Sequence, residues 1–589
     1  MNQYSKIKIS ESMLILILCL GFNLLSFLCP ITMRTVSDNL GIFTGAVRLA
    51  GYAWETFESA SHYYGQGYYI LFAPLFMLTE NPFIIWGTII TVNAVVRALA
   101  GCMAYTISYK YLNLGRGISV GMAFLSQMFI AANSILRPNN ETPLFFVVWL
   151  CALCVVRLLA AREKRTQIVR TIVLVAVLSY GLLIHTRVWM LFVCTLGGLF
   201  IFSVIYKKAL LHVPTAVVSA VIGYLSTKAV KGYIVGLKGV SDLAESHNAT
   251  LELERYTQNA VWGIKEAVLL VFSNLYRLMI STYGLAAMGI LAAVIILYVL
   301  LFKQGGSEKH QETPACVLVA IYGVCVLGTI IGLVMYYGNS FTTFWEDGSA
   351  GKFLSSLYYD RYWIVYTGPF LLGAAAYFVK HSGLLLKYVW IPVLGIAALF
   401  AYMFYVVFPR NQEIIANFCI VDIQANGNGK WDALLSAAIL ILFLVLSAVL
   451  FLKNKEKYVI FAVVLIFGFN IAKTIEPPFF ELRLDDNVDG TYEMVSRCRE
   501  QGINIDRLSA SAYYLCFVFP RYDIIKFDAD NLNEEIIILN EVDQETYAEQ
   551  LLDAGYQTIE LDENEFLWTS NQEMYFQIYN ICTESEKMK

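Results

Sequence analysis

Thirteen apolar runs punctuate the first 475 residues of this 589-residue chain. They lie near 13–31, 84–107, 117–136, 142–160, 170–186, 188–205, 210–229, 283–302, 314–337, 363–379, 386–408, 432–452 and 456–473. A helix crossing bilayer hydrocarbon needs about 20 such residues, and a helix satisfies its own backbone hydrogen bonds in lipid. The runs therefore predict an α-helical polytopic membrane protein with about thirteen transmembrane helices. Charged residues make up 15% of the chain, against about 25% in an ordinary soluble protein, which excludes a soluble main body. A further run, YYILFAPLFMLT at 68–79, is too short to span and reads as an interfacial or re-entrant piece. Lys6 and Lys8 precede the first run as in a signal peptide. That run ends in LCPITMR without a small-residue cleavage site, so it is expected to stay as the first helix.

Charge orients the runs. With the N-terminus in the cytoplasm, the inner loops are 109–117, 160–167, 206–208, 302–312, 380–387 and 453–457. Each carries Lys or Arg, as the positive-inside tendency requires. The long loops 32–67, 230–282, 338–362 and 409–431 then face outward. They hold most carboxylates of the membrane part, among them Asp242, Glu252, Glu346, Asp360 and Asp422. An odd number of spans places residues 475–589 on the same outer side, taken as the cell exterior.

Residues 475–589 differ in kind from 1–474. They carry a net charge of −17, the remainder +13, which indicates two parts in different surroundings. EPPFFELRLDD marks the exit from the membrane. YEMVSRCREQG reads as a helix closed by Gly502, and DQETYAEQLLDAG as a helix ending at Gly555. RLSAS, YDIIKFD, EEIIILN and QTIELD read as strands. The alternation predicts a small C-terminal extracytoplasmic α/β domain, a cap that positions the acceptor or a module for stability and assembly. It has no Gly-rich phosphate loop and no metal cluster, and its charge argues against nucleic acid or anionic polymers as partners. Of the twelve cysteines, most sit inside apolar runs as small core residues; Cys498, Cys516 and Cys582 remain as candidates for pairing.

A charge at the centre of a membrane helix costs roughly 2.5–3.5 kcal/mol on insertion scales, so polar groups gathered at one membrane face need a reason. Four separated segments gather there. The loop from Thr32 to Gly67 holds Asp38, Glu55, His62 and Tyr64, and its Leu40, Phe43, Val47 and Ala50 fall at helical spacing, as in a helix lying on the membrane surface. Arg137 to Glu141 lies between the third and fourth runs, His185 to Arg187 between the fifth and sixth, and Tyr358 to Tyr362, with Tyr359, Asp360 and Arg361, before the tenth. Arginines at the bilayer edge can grip a phosphate with paired hydrogen bonds, a carboxylate can deprotonate a hydroxyl, and tyrosines suit sugar rings and the interface. Together these suit transfer of a sugar from a lipid phosphate.

The order of one helix, a long outer loop with an early Asp, an amphipathic stretch and then Gly67-Tyr68 to Pro74-Leu75 in GYYILFAPLF resembles the GT-C superfamily of polytopic glycosyltransferases. Its bacterial members include aminoarabinose-transferase-like and protein-mannosyltransferase-like enzymes. RPNNETP at 137–143 and Asp360-Arg361-Tyr362 also resemble parts of that pattern, so the likeness covers about 1–190 and 338–380. It implies an inverting transferase that draws on a polyprenyl-phosphate sugar, with Asp38 as base or acceptor-positioning group. The acceptor would be an envelope glycan, a glycolipid or a protein. Many members carry a second carboxylate beside this Asp. Here the neighbour is Asn39, and Glu55 or Glu58 can substitute only if the loop folds back. No metal site is therefore assigned, and the need for a divalent cation stays open.

Plainer readings stand beside these. Asp38 suits the N-cap of a helix starting at Asn39–Leu40, which does not exclude catalysis. Arg137 and Arg187 suit interface anchoring, Glu141 the first turn of a helix, Asp360–Arg361 a local ion pair, and His185 a satisfied polar position. Arg97, inside the second run, must face protein or a cavity. Two rival functions remain: a polysaccharide polymerase or ligase, with its chemistry in a late loop such as 338–362, and a lipid-linked-sugar flippase or transporter, which would carry charges at the midplane of broken helices.

Overall fold

The computed structural model describes residues 9–33, 41–52, 65–128, 136–236, 263–302, 313–347, 357, 360–410, 429–472, 477, 481–485, 488–503, 505, 507–510, 515–530, 532–562 and 564–586. Helix α1 (Ile9–Leu24) is followed by a short strand, β1 (Ile31–Met33). Three short helices, α2 (Thr44–Leu49), α3 (Gln66–Tyr69) and α4 (Ala73–Leu78), precede α5 (Pro82–Thr106). Asn81 caps α5 by accepting from the amides of Phe83 and Ile84, and Pro82 occupies its first turn. Then come α6 (Arg116–Ser126), α7 (Glu141–Leu159), α8 (Lys164–Ile184), α9 (Val188–Ile205) and α10 (Val213–Gly236). The later membrane part holds α11 (Ile264–Ser281), α12 (Leu285–Phe302), α13 (Thr313–Tyr337), α14 (Ile364–Lys380), α15 (Ser382–Tyr388), α16 (Trp390–Tyr402), α17 (Gly429–Leu452) and α18 (Glu456–Ala472).

Helices fall in every one of the thirteen predicted runs. By length and composition, however, seven described helices can cross a membrane, or up to nine if each of two sharply bent pairs is one span. The count of thirteen is not reached by that measure, partly because α1 and the described part of α17 are shorter apolar helices. The centre of the bundle is α7, buried on nearly every side and packed on α5, α8 and α14. At the other extreme, only 11% of α10's apolar window is buried, and it leans on α8.

Residues 230–282 were expected to be loop, but α10 runs on to Gly236 and α11 occupies 264–281. Its Leu269, Leu270, Ser273, Asn274, Arg277 and Leu278 are buried together, the spacing of one helical face. The chain then turns through 113° into α12. Tyr283 and Gly284 make that corner with φ of 52° and 77°; the buried Tyr283 is held in a backbone region that costs a residue with a side chain about 1–2 kcal/mol. The apolar stripe of the first outer loop also differs from expectation. Phe43 and Val47 are fully buried, and Phe43 meets the rings of Tyr69 (4.9 Å) and Phe76 (5.8 Å). The described part of the stripe faces α3 and α4 instead of lipid, while Leu71, between these helices, and Leu78 of α4 are exposed.

The C-terminal part begins at β2 (Leu482–Leu484) and α19 (Asp489–Glu500). Strands β3 (Arg507–Ala510), β4 (Asp523–Lys526), β5 (Ile536–Asn540), β6 (Gln557–Asp562) and β7 (Glu565–Thr569) form one mixed sheet of order β4-β3-β5-β7-β6. Helices α20 (Glu541–Asp553) and α21 (Gln572–Glu586) pack on it. Asn540 caps α20 through the Asp543 amide, and Gly502 and Gly555 adopt positive φ after their helices. Strand β7 and helix α21 have no counterpart in the predicted elements. Cys498 and Cys582 form no disulfide among the described residues, and the Cys516 side chain lies outside them.

This part is docked onto the first outer loop. β1 pairs in parallel with β2, Ile31 opposite Leu482 and Met33 opposite Leu484. Glu80, just before α5, takes Arg499 (3.4 Å) and Arg521 as ion partners. Arg521 also lies over the Tyr52 ring at 5.5 Å and donates to its hydroxyl at 2.8 Å. The start of α5, the first loop and the C-terminal sheet therefore share one end of the bundle, where α7 and α14 also begin.

Candidate active site

At that end, Glu141 opens α7, where the first-turn amides favour a carboxylate. The turn before it is fixed from outside. Trp86 Nε1 donates to the Leu136 carbonyl (3.1 Å), Tyr69 to the Asn139 carbonyl (2.7 Å), and Asn139 Oδ1 accepts from the Glu141 amide (3.2 Å). Arg137 sits half-buried in the same turn. Gly65 enters α3 with φ of 62° and packs against Asn140 and the Ile184 carbonyl, where any side chain would collide. Gly67 packs as closely on Leu183.

Glu141 is 1% exposed and faces two guanidinium groups. Arg187 Nη2 reaches its Oε1 at 2.9 Å, and Arg361 Nε pairs with the same oxygen. Arg187 is held further: Nη1 donates to the Arg361 carbonyl (2.8 Å), the guanidinium lies 4.8 Å over the Tyr362 ring, and the Tyr366 hydroxyl donates to the Arg187 carbonyl (3.1 Å). The Tyr362 and Tyr337 hydroxyls are 3.3 Å apart. Glu141 Oε2 has no hydrogen-bond partner among the described residues. Beside this set, Arg277 of α11 pairs with the fully buried Asp360 at 3.1 Å, and Asn274, one turn earlier, accepts from Trp363 Nε1 at 3.1 Å.

His185 ends α8 within this cationic surround. Burial, then Arg187, Arg361 and Lys231, push its pKa well below the usual imidazole range, so the ring is neutral. Both ring nitrogens lie near N–H donors of Arg187, at 3.1 and 3.2 Å; a neutral imidazole accepts at one of them.

The sequence-predicted residues Glu141, Arg187, Asp360 and Arg361 come together here, with Arg137 nearby. Asp38, Glu55, His62, Tyr64 and Tyr359 lie outside the described residues. Arg277 was missed because its segment was read as loop. The detectable signal was a charge on the buried face of a helical repeat from Leu269 to Leu278. Arg97 is 5% exposed within α5 and donates to the Gln127 carbonyl at 2.9 Å, in a polar patch with Asn23. Among the described residues no His, Cys, Asp and Glu set is grouped as for a metal ion. Glu141 and Asp360 already face guanidinium groups, so the described part of the site does not fit a cation.

No protein-family model matches the chain, nor does any curated protein sequence. Among solved structures, ArnT from Cupriavidus metallidurans bound to undecaprenyl phosphate matches with a TM-score of 0.52 at 12% identity, over 96% of this chain and 98% of that one. The apo state of the same protein matches with a TM-score of 0.51 at 10% identity, over 96% and 98%. ArnT is an aminoarabinose transferase of the GT-C superfamily. A match along nearly the whole of both chains at such low identity is a likeness of fold, and this multi-pass membrane chain has an ArnT-like architecture.

Proposed function

We propose that this protein transfers a sugar from a polyprenyl-phosphate donor to an acceptor hydroxyl at the outer face of the membrane, with inversion at the anomeric carbon. The observation that carries the reading is the meeting of Glu141, Arg187 and Arg361, from three distant segments, at the end of the bundle that also bears the first outer loop. Two guanidinium groups on one carboxylate leave a net positive charge. Such a pair suits a phosphate that gains charge as it leaves. ArnT, of similar fold, has been solved with undecaprenyl phosphate bound, which supports a lipid of that class here.

On this reading the arginines hold the donor phosphate and Glu141 holds the arginines. Asp38 takes the proton from the acceptor hydroxyl as its oxygen attacks the anomeric carbon, and the lipid phosphate departs with the bonding electrons. A single displacement of this kind inverts the centre. The Lys and Arg residues of the loops read as inner support an N-terminus in the cytoplasm and a C-terminal part outside. The acceptor is an envelope glycan, a glycolipid or a protein.

The test is transfer from a polyprenyl-phosphate sugar by purified protein. Asp38→Asn should lower the rate by roughly 10²–10⁴-fold, the usual contribution of a general base, with expression and melting temperature unchanged. Full activity in that variant would remove Asp38 from the mechanism.

A further inference from the structure

Helix α19 stands where the C-terminal part meets the start of α5, and it has a hollow on each flank. One, of about 220 Å³, lies on the side of the bundle and is lined by Glu80, Asn81, Arg499 and Phe519. The other, of about 520 Å³, lies on the side of α21 and is lined by Asp489, Glu493, Arg497 and Glu500. Both include Tyr492 and Ser496, which follow each other by one helical turn. The hollows therefore adjoin across a single ridge of α19 and make one groove. The Tyr492 ring is set by its neighbours, stacked on Phe519 at 5.8 Å and edge-on to Phe83 at 6.0 Å. The hydroxyls of Tyr492 and Ser496 have no hydrogen-bond partner among the described residues, and both residues are half-buried.

The lining selects a class of ligand. An aromatic ring offers a flat apolar surface with a polar tip, while carboxylates and guanidinium groups offer paired acceptors and donors. A sugar chain, with C–H faces between rows of hydroxyls, matches both. Three carboxylates against one arginine in the larger hollow oppose phosphorylated or uronic chains. A hydrocarbon chain would strip water from charged walls without replacing it. An extended peptide is held by a row of free backbone groups, and the ridge presents helix side chains instead. The smaller hollow reaches Glu80 and Asn81 at the start of α5. Further along α5, Trp86 holds the Leu136 carbonyl in the turn before Glu141. The groove thus ends on an element that also builds the candidate active site.

We propose that this groove binds an oligosaccharide, the non-reacting sugar units of the acceptor, with the chain crossing Tyr492 and Ser496. The proposal rests on the transferase reading above and names its acceptor as a glycan of neutral or amino sugars.

The experiment titrates the full-length protein in phosphatidylglycerol nanodiscs with maltohexaose, cellohexaose, mannohexaose, chitohexaose and the glucosamine hexamer, following saturation-transfer NMR signals. Undecaprenyl phosphate binding is measured in parallel. Tyr492→Ala removes the ring, Tyr492→Phe restores it, and Ser496→Leu puts bulk on the ridge. Glu549→Leu places the same bulk on an exposed position of α20. The wild type should bind at least one hexasaccharide saturably. Tyr492→Ala and Ser496→Leu should each weaken that binding at least roughly tenfold, with Tyr492→Phe and Glu549→Leu close to the wild type and undecaprenyl phosphate binding unchanged throughout. Ser496→Leu leaves the aromatic packing whole, so it decides the matter if Tyr492→Ala melts at a lower temperature. A wild type that binds none of the five, binding that survives Ser496→Leu, or an equal loss in Glu549→Leu would overturn the groove and leave the transferase reading standing. Hexasaccharide binding in a protein that does not bind undecaprenyl phosphate would overturn the lipid-phosphate reading and leave the groove as a carbohydrate site.

Discussion

Glu141 shares one oxygen between two arginines, while Asp360 pairs with Arg277 beside them. The first set carries a net positive charge; the second is a buried pair, 3% and 0% exposed at its two side chains. Removing one member of such a pair strands a buried charge, whereas replacing both with apolar groups relieves it. Arg277→Ala should therefore cost roughly 3–5 kcal/mol of stability, read as a lower melting temperature in detergent. The double variant Arg277→Met/Asp360→Leu should recover most of the loss. A single variant that melts like the wild type would show that the pair bears no load. At this scale the sequence was informative where charge flanked an apolar run. Glu141, Arg187 and Arg361 each stand beside one, so they could be picked out as one group. Arg277 could not be found in that way. Its segment has too many polar residues for a span, and its neighbours Asn274 and Asp360 come together only through the fold.

Among the elements, α19 shows how the acidic C-terminal part is held together. Glu565, on β7, is 1% exposed and accepts from the Thr491 amide at 2.6 Å in the first turn of α19. Burial, with Asp562 and Asp489 nearby, pushes its carboxyl up to about 7, against the pull of the Thr491 hydrogen bonds. The folded protein thus binds a proton here more tightly than the unfolded chain, whose carboxyl titrates near 4.3. Between those values the folded state holds more protons, so stability falls as pH rises toward 7 and levels off above it. The difference is on the order of 3–4 kcal/mol. Hydrogen exchange of residues 489–500, corrected for intrinsic rates, should show greater protection at pH 5 than at pH 8, and Glu565→Gln should flatten that dependence. An unchanged slope in the variant would assign the effect to another group. Elements bounded by turn chemistry were visible in the sequence, such as the helices before Gly502 and Gly555. Strand β7 was not, because EFLWT follows QTIELD after only two residues, without the Gly or Pro that would mark a turn between them. α11 escaped because a one-sided apolar face does not register as total hydropathy.

For the whole molecule, the charge contrast marked the acidic C-terminal part that holds the small sheet, but its docking onto the membrane bundle was not legible. Glu80 meets Arg499 and Arg521 over a separation of more than four hundred residues, and nothing local marks it. Partly exposed pairs of this kind contribute about 1 kcal/mol or less. Glu80→Arg, which places like charges together, should loosen the junction and expose Arg499 and Arg521 to trypsin. Arg521→Glu in the same chain should restore part of the protection. Trypsin resistance in the Glu80→Arg protein would place the hold elsewhere, with the β1–β2 pair as the next candidate. That strand pair has a consequence for how the molecule is made. Synthesis and insertion proceed from the N-terminus, so Ile31–Met33 emerges with the first helix and waits for Leu482–Leu484 until the last helix has entered the membrane. A chain stopped at residue 474 would contain every membrane helix, yet the segment leading to Asp38 would still have an unpaired edge. Pairing of Ile31–Met33 is therefore tied to synthesis of the C-terminal part, and a half-made protein in the bilayer lacks the strand that completes this pair.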